Sequence, residues 1–255
     1  MKRPDGPRRE STVGQGKGEG MTYGLAGILT EAGLMADVRE QTLRMINTVA
    51  VMFERSTAAL FGDADPTAVR EAVLEMDRQV DTAQQEVRRG LVIHLSVNPK
   101  DDAECCLALI VVAKDAERAG DYCKNLVEVA GLASEPVGVT KYGPPLREMC
   151  AEVRRLFAPV RTALAAPEMA LVRLVVTRAS DIRARCNSLI REVANDTELN
   201  ENQAVCVALS FRGCRRISAH LANIVSAAAG PIYGLGETAD VLEGCSSPHT
   251  EAAVQ

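Results

Sequence analysis

Apolar residues recur every three to four positions through most of the chain, which is the spacing of one face of an α-helix. Three such runs precede a Gly/Pro-rich segment at 131–145, and three follow it. The predicted helices cover about residues 34–61, 66 to the Asn98-Pro99 break, 101–131, 146 onward, 167–193 and 197–229. The pattern therefore predicts an all-α protein with six long helices.

Individual residues mark several of the predicted helix boundaries. Gly62 ends the first helix, and Asp65 followed by Pro66 is a typical start for the second. Asp101 or Asp102 is predicted to cap the third helix. Pro159 lies inside the fourth, where a proline is expected to kink or end it.

The second half of the chain repeats the first at an offset of 98 residues. Arg118, Asn125, Val127 and Ala130 fall on Arg216, Asn223, Val225 and Ala228. This repetition predicts two tandem three-helix bundles. The predicted domains are a disordered N-terminal tail at 1–30, repeat 1 at 31–135, repeat 2 at 141–230 and a flexible C-terminal tail at 231–255.

Composition is consistent with closely packed helices. Hydrophobic residues make up 47% of the 255 residues, whereas aromatic residues make up 3% and tryptophan is absent. Small side chains must therefore fill the core, and strands are poorly supported. The eight cysteines form no Cys-x-x-Cys pair, so they are interpreted as small buried thiols of a cytoplasmic protein. No apolar run is long enough to span a bilayer, so any membrane contact is expected through partners only.

Charge is distributed unequally between the halves. Residues 31–140 carry 11 Lys and Arg against 19 Asp and Glu, whereas residues 141–230 carry 13 against 8. A nucleic-acid-binding protein would show a concentrated basic face. The asymmetry instead favours protein partners or contacts between copies of the chain.

Two pairs of carboxylates stand beside the apolar faces of the second and third helices. Asp77 and Asp81 are four residues apart, as are Glu117 and Asp121, so each pair lies on one helix face. If the two helices are antiparallel neighbours, up to four carboxylates face one another. Spacing alone leaves two interpretations open, a metal site or an ordinary charged helix edge whose partners are Lys114, Arg118 and Lys124.

The segment ERAGDYCKNLVEVA at 117–130, preceded by a helix that carries DRQVD at 77–81, resembles the repeat of the PhoU family of phosphate-uptake regulators. The hallmark of that repeat is an acidic residue, three others, then Asp. The resemblance covers roughly residues 30–230. It implies a cytoplasmic, non-enzymatic helical regulator that dampens phosphate-starvation signalling and often forms a homodimer.

The resemblance also implies partners and a cofactor. The expected partners are a phosphate transporter, either the ATPase of an ABC transporter or a sodium-phosphate cotransporter, and a sensor histidine kinase. The expected cofactor is iron, zinc or another divalent cation. Residue by residue, the metal ligands carried over to repeat 1 are Asp77, Asp81, Glu117 and Asp121.

Repeat 2 departs from the family pattern. Arg215 stands where Glu is expected, Ala219 where Asp is expected, and Thr177 precedes the surviving Asp181. A cation would be poorly held there because hard ions need several oxygen ligands. An ion pair between Arg215 and Asp181 is the hypothesis for what replaces it.

No motif supports an enzyme. His94, His220 and His249 complete no metal or catalytic pattern, and the chain has no P-loop and no Gly-rich motif after a strand. Cys245 and His249 in the last stretch are interpreted as part of an exposed tail. The alternative function is a diverged, metal-free helical scaffold that takes no part in phosphate control.

Overall fold

The computed structural model describes residues 34–97, 103–166 and 168–229. Within these ranges the chain forms six α-helices and one short 3-10 helix, Val137–Val139, with no strand. The helices are α1 (Leu34–Leu60), α2 (Pro66–Val97), α3 (Ala103–Leu132), α4 (Gly143–Ala165), α5 (Met169–Ala194) and α6 (Glu201–Ala229). The predicted all-α class and the six long helices are confirmed.

The helices pack as two bundles side by side. In repeat 1, α1, α2 and α3 all contact one another, and in repeat 2 α4, α5 and α6 do the same. The bundles meet where α3 packs against α6 and where α1 packs against α4. Each repeat therefore contributes its first and third helices to the interface between repeats, and α2 and α5 are left at the outside.

Small side chains let the helices of repeat 1 approach closely. Ala113, Ala116 and Gly120 lie on the buried face of α3. A Cβ atom placed on Gly120 would lie 3.6 Å from both Met52 and Val49 of α1, which is ordinary contact distance. Because α3 presents so little side-chain bulk, a core with few aromatic rings is still filled.

The predicted boundaries of α1 and α2 agree with the structure. Gly62 adopts φ +77°, a left-handed conformation that ends α1 and that glycine adopts without a steric penalty. The Asp65 carboxylate accepts a hydrogen bond from the backbone N–H of Ala68 at 3.0 Å, so Asp65 caps α2 as predicted.

Pro159 lies inside its helix and does not end it, which excludes one of the two expected effects of this proline. The fourth helix begins at Gly143, three residues before the predicted start, and continues through Pro159 to Ala165. A proline removes one backbone hydrogen bond, and the packing of the flanking buried residues Phe157 and Val160 compensates for that loss.

Several predictions fall outside the described residues. These are the Asn98-Pro99 break, capping by Asp101 or Asp102, a helix start at Pro167, the two tails, and Cys245 and His249. None of the described helices combines the length and the apolar character needed to cross a membrane.

Candidate functional site

The four predicted acidic residues occupy two adjacent turns of the neighbouring helices α2 and α3. Asp77 and Asp81 come from α2, and Glu117 and Asp121 come from α3. The charges of Asp77 and Asp121 both act on Asp81, and the charge of Asp121 acts on Glu117. The structure therefore links Asp77, Asp81 and Asp121 across the two helices and joins Glu117 to them through Asp121, and we refer to these four residues as the acid quartet.

A lysine connects two members of the quartet. Lys124 Nζ lies 2.7 Å from Asp77 Oδ2 on α2 and 2.8 Å from Asp121 Oδ1 on its own helix. The side chain of Asp77 is 11% exposed and that of Lys124 is 25% exposed, so water screens this pair only in part. Burial alone would lower the pKa of Lys124, but the hydrogen bonds to Asp121 and Asp77 outweigh it and raise the pKa.

The other two members of the quartet lack such a partner. Burial, followed by the negative charge of Asp77, raises the pKa of Asp81. Burial, followed by the negative charge of Asp121, raises the pKa of Glu117, although Arg118 lies 3.9 Å away. The Lys124 ammonium, the half-exposed Arg118 guanidinium and the charge of Lys114, which also acts on Glu117, do not balance four carboxylates, so the quartet keeps an excess of negative charge.

The quartet as arranged does not fit a metal ion. A hard cation needs several oxygen ligands directed at one point. Among the described residues, no group of three or more His, Cys, Asp or Glu side chains is placed to hold a metal. Lys124 instead stands between Asp77 and Asp121, so iron or zinc at the quartet stays a prediction that requires the ammonium to move.

The equivalent position in repeat 2 does not form the ion pair that the sequence suggested. Arg215 Nη1 donates to Asn187 Oδ1 at 2.6 Å. Asp181 is exposed on α5, and the predicted ion pair between Arg215 and Asp181 is wrong. The Arg215 side chain reaches the half-buried Asn187, whereas Asp181 is exposed.

A polar network at the interface between repeats was missed by sequence reasoning. His220 Nδ1 on α6 lies 2.6 Å from Asp115 Oδ1 on α3, and Asn223 donates to the same oxygen at 3.4 Å. The Tyr122 ring stacks on His220 at 5.7 Å between centroids, and Arg216 Nε donates to the Tyr122 hydroxyl at 3.0 Å. These five residues join repeat 1 to repeat 2 through their third helices.

The signal for this network is weak in the sequence. Asn223 and Arg216 recur at the offset of 98, but this recurrence does not identify Asp115 or Tyr122 as their partners. Asp115 and His220 are 105 residues apart and belong to no motif. Only the packing of α3 against α6 brings them together.

The buried thiols agree with the prediction. Cys123, Cys150 and Cys214 are buried, and the sulfur atoms of Cys150 and Cys214 are 3.5 Å apart without a bond. Burial raises the pKa of Cys186 to about 12, and the pKa of Cys214 is also raised, by the hydrogen bond with Cys150 and by burial. Protonated thiols are poor nucleophiles and poor metal ligands, so the cluster is part of the core.

The described chain thus defines a class, a duplicated three-helix-bundle protein with an acidic group between the second and third helices of repeat 1. Comparison with known proteins finds a family that repeat 1 resembles. Residues 42–130 match the family model described as the PhoU domain. The predicted resemblance of repeat 1 to the PhoU family is confirmed.

The fold extends this likeness to both repeats. The crystal structure of PhoU from Pseudomonas aeruginosa superposes with a TM-score of 0.69, covering 76% of this chain and 95% of that one. The two sequences are 20% identical, so this match shows a shared fold. The comparison with curated proteins finds no match.

Proposed function

We propose that the protein is a PhoU-like regulator of phosphate homeostasis that acts through protein contacts on its helical faces. The observation that carries the proposal is the PhoU domain match at 42–130, which contains the whole acid quartet. The fold shared with a PhoU protein over both repeats supports it. No catalytic step is proposed.

A group of exposed apolar residues supports a protein-contact role. Lys124 contacts Asp77 and Gln84 contacts the backbone of Ala113, so α2 and α3 run antiparallel and position 92 lies level with about position 107. At that end of the pair, four apolar side chains are 45–74% exposed; we call them the apolar tip, Val92, Ile93, Val97 and Leu107. Exposed apolar side chains that lie near one end of a helix pair are candidates for a protein interaction site.

The proposed partners follow from the family resemblance. They are a phosphate transporter component, either the ATPase of an ABC transporter or a sodium-phosphate cotransporter, and a sensor histidine kinase. The apolar tip is proposed as the surface that contacts one of them. A homodimer is proposed on the same resemblance.

A genetic test separates this function from others. Deletion of the gene in the source organism should raise expression of a phosphate-responsive reporter in high phosphate, and the wild-type gene should restore repression. The variant Val92→Glu/Val97→Glu should keep its helical circular dichroism and fail to restore repression, because charged side chains at the tip oppose burial against a partner.

The control is Leu174→Glu, which adds a charge at an apolar side chain of α5 that is 47% exposed and far along the chain from the tip. It should complement like the wild type. If the tip variant also complements fully, the tip is not the contact surface. If deletion leaves the reporter unchanged, phosphate control itself is refuted.

One observation favours a second candidate function, a metal-free helical scaffold outside phosphate control. Arg215 and Ala219 replace the acidic pair of repeat 2, and Lys124 stands among the acidic residues of repeat 1. An unchanged reporter together with retained partner binding by the purified chain would support this scaffold.

A further inference from the structure

The acid quartet is arranged around a positive charge that belongs to the chain itself. Lys124 lies three residues after Asp121 on α3, so its ammonium reaches Asp121 Oδ1 within the same turn of helix. The same ammonium extends across the interface to Asp77 Oδ2 on α2. One side chain thus makes both the local and the cross-helix contact that a bridging cation would make.

The burial of Asp77 supports this bridging role of Lys124. Asp77 is one of the few charged residues among the buried positions, and its carboxylate is paired with Lys124 at 2.7 Å. A buried charge without a partner is costly, and a partly buried pair is less screened by water and salt than a surface pair. Lys124 therefore offsets the free-energy cost of burying the Asp77 carboxylate.

A divalent ion would compete directly with the ammonium. To bind Asp77 and Asp121 it would have to break both hydrogen bonds of Lys124 and leave that ammonium close to a second positive charge. In repeat 2 the guanidinium of Arg215 stands at the position where the family pattern has a carboxylate, and it binds Asn187. Both repeats thus carry a built-in cation at the place where the resemblance implies a metal.

We propose that Lys124 is the internal cation of repeat 1, so that its contacts with Asp77 and Asp121 hold α2 against α3 without a bound metal ion. This proposal concerns the folded chain alone and does not depend on the proposed function. It departs from the expectation of iron or zinc at Asp77, Asp81, Glu117 and Asp121. The surplus charge at Asp81 and Glu117 is the feature that would bind a cation once the ammonium is removed.

The test measures Mn²⁺ binding to the full chain by electron paramagnetic resonance, in which the signal of free Mn²⁺ falls on binding. Mn²⁺ is the probe because it prefers oxygen ligands to the thiols of the core. The variants are Lys124→Ala and Lys124→Gln. The control is Lys114→Ala, which changes the net charge equally and removes an exposed lysine of the same helix whose charge acts on Glu117, so it separates the effect of a nearby charge from that of the Lys124 contacts.

Wild type and Lys114→Ala should bind Mn²⁺ weakly, and their melting temperatures should not change when a chelator is added. Both Lys124 variants should bind Mn²⁺ roughly tenfold more tightly or better, since the competing ammonium is gone. Adding Asp121→Asn to Lys124→Gln should abolish that gain. This last result would locate the new binding at the quartet.

Two results would overturn the proposal. One is stoichiometric metal in wild-type protein purified without chelator, as measured by elemental analysis, that is lost in Asp121→Asn. The other is a folded Lys124→Gln protein whose Mn²⁺ affinity equals that of the wild type. The first measurement needs no variant of Lys124, so it decides the question even if both lysine variants fail to fold.

Discussion

At the scale of single residues, the acid quartet contains two kinds of carboxylate. Asp77 and Asp121 each contact the Lys124 ammonium, whereas partial desolvation and neighbouring carboxylates raise the pKa values of the exposed Asp81 and the half-buried Glu117. Within the acid quartet, the ionised carboxylates of Asp77 and Asp121 therefore stabilise the fold. The ionised carboxylates of Asp81 and Glu117 destabilise it. Replacing one aspartate of each kind by asparagine tests this difference.

We predict that Asp81→Asn stabilises the protein at pH 7 and that Asp77→Asn destabilises it. The pKa of Asp81 is raised above 3.8 by folding, so its favourable contribution is present below about pH 3.8 and is lost as the pH rises through the folded pKa. At pH 7 the ionised group is a cost of a few tenths of a kcal/mol, reduced by its exposure, and Asn removes that cost. Asp77→Asn loses the ion pair with Lys124 and should cost about 1–2 kcal/mol.

Urea unfolding at pH 7 and at pH 3 measures both effects. The gain from Asp81→Asn should shrink at pH 3, which lies below the ordinary pKa of 3.8, because the wild-type carboxyl is then mostly protonated in both states. A gain of equal size at both pH values would show that charge is not its cause.

At the scale of helices, α3 and α6 pack closely because one of them presents a glycine. A Cβ atom on Gly213 would lie 2.7 Å from Cδ2 of Leu126, which is itself fully buried. A Cβ atom on Gly131, near the end of α3, would meet nothing within 4 Å. The two glycines therefore differ in what surrounds them, although both are helical.

We predict opposite effects of the same substitution at these two positions. Gly131→Ala should stabilise the protein by about 0.5 kcal/mol, because alanine loses less conformational freedom in a helix. Gly213→Ala should destabilise it by about 1–2 kcal/mol, because Leu126 must shift within a packed core. Chemical denaturation of the two variants gives both values, and equal effects would mean that the α3–α6 contact tolerates a methyl group.

At the scale of the whole molecule, the two repeats are joined by a buried polar contact as well as by apolar packing. His220 is 7% exposed, and its Nδ1 is paired with Asp115 across the interface between repeats. Its Nε2 is buried and has no hydrogen-bond partner among the described residues. Asp115 is therefore the residue that keeps the buried imidazole from losing all its hydrogen bonds.

We predict that Asp115→Ala lowers the free energy of unfolding by about 1–3 kcal/mol, the usual cost of leaving a buried polar group unpaired. Asp181→Ala removes an exposed carboxylate from α5 and should have little effect. The double variant Asp115→Ala/His220→Leu should recover part of the loss, because no buried imidazole is then left without a partner. Equal unfolding free energies for Asp115→Ala and Asp181→Ala would contradict this account.

Several elements could be predicted from the sequence because their signals are local. The apolar spacing predicted all six helices, and Gly62 and Asp65 marked a helix end and a helix start that the structure confirms. Pro159 shows the limit of local reasoning. Its penalty was correctly recognised, but the packing on both sides of it stabilises the helix enough to continue.

The candidate site was predictable only in part. Spacing placed Asp77 with Asp81 and Glu117 with Asp121, since residues four apart share a helix face. Lys124 was one of three basic residues named as possible partners, and nothing in the sequence distinguished it from Lys114 or Arg118. The choice depends on how α2 and α3 are rotated against each other, which spacing within one helix does not specify.

By itself the sequence determined the helices, their duplication and the membership of the acid quartet, because helical periodicity relates residues within a few turns of one another. The tertiary structure decided the partners: Lys124 for Asp77, Asn187 for Arg215, and Asp115 for His220. These partners lie on different helices, from 28 to 105 residues apart in the chain. Their pairing follows from the register and rotation with which whole helix faces pack, and that arrangement is set by the core as a whole.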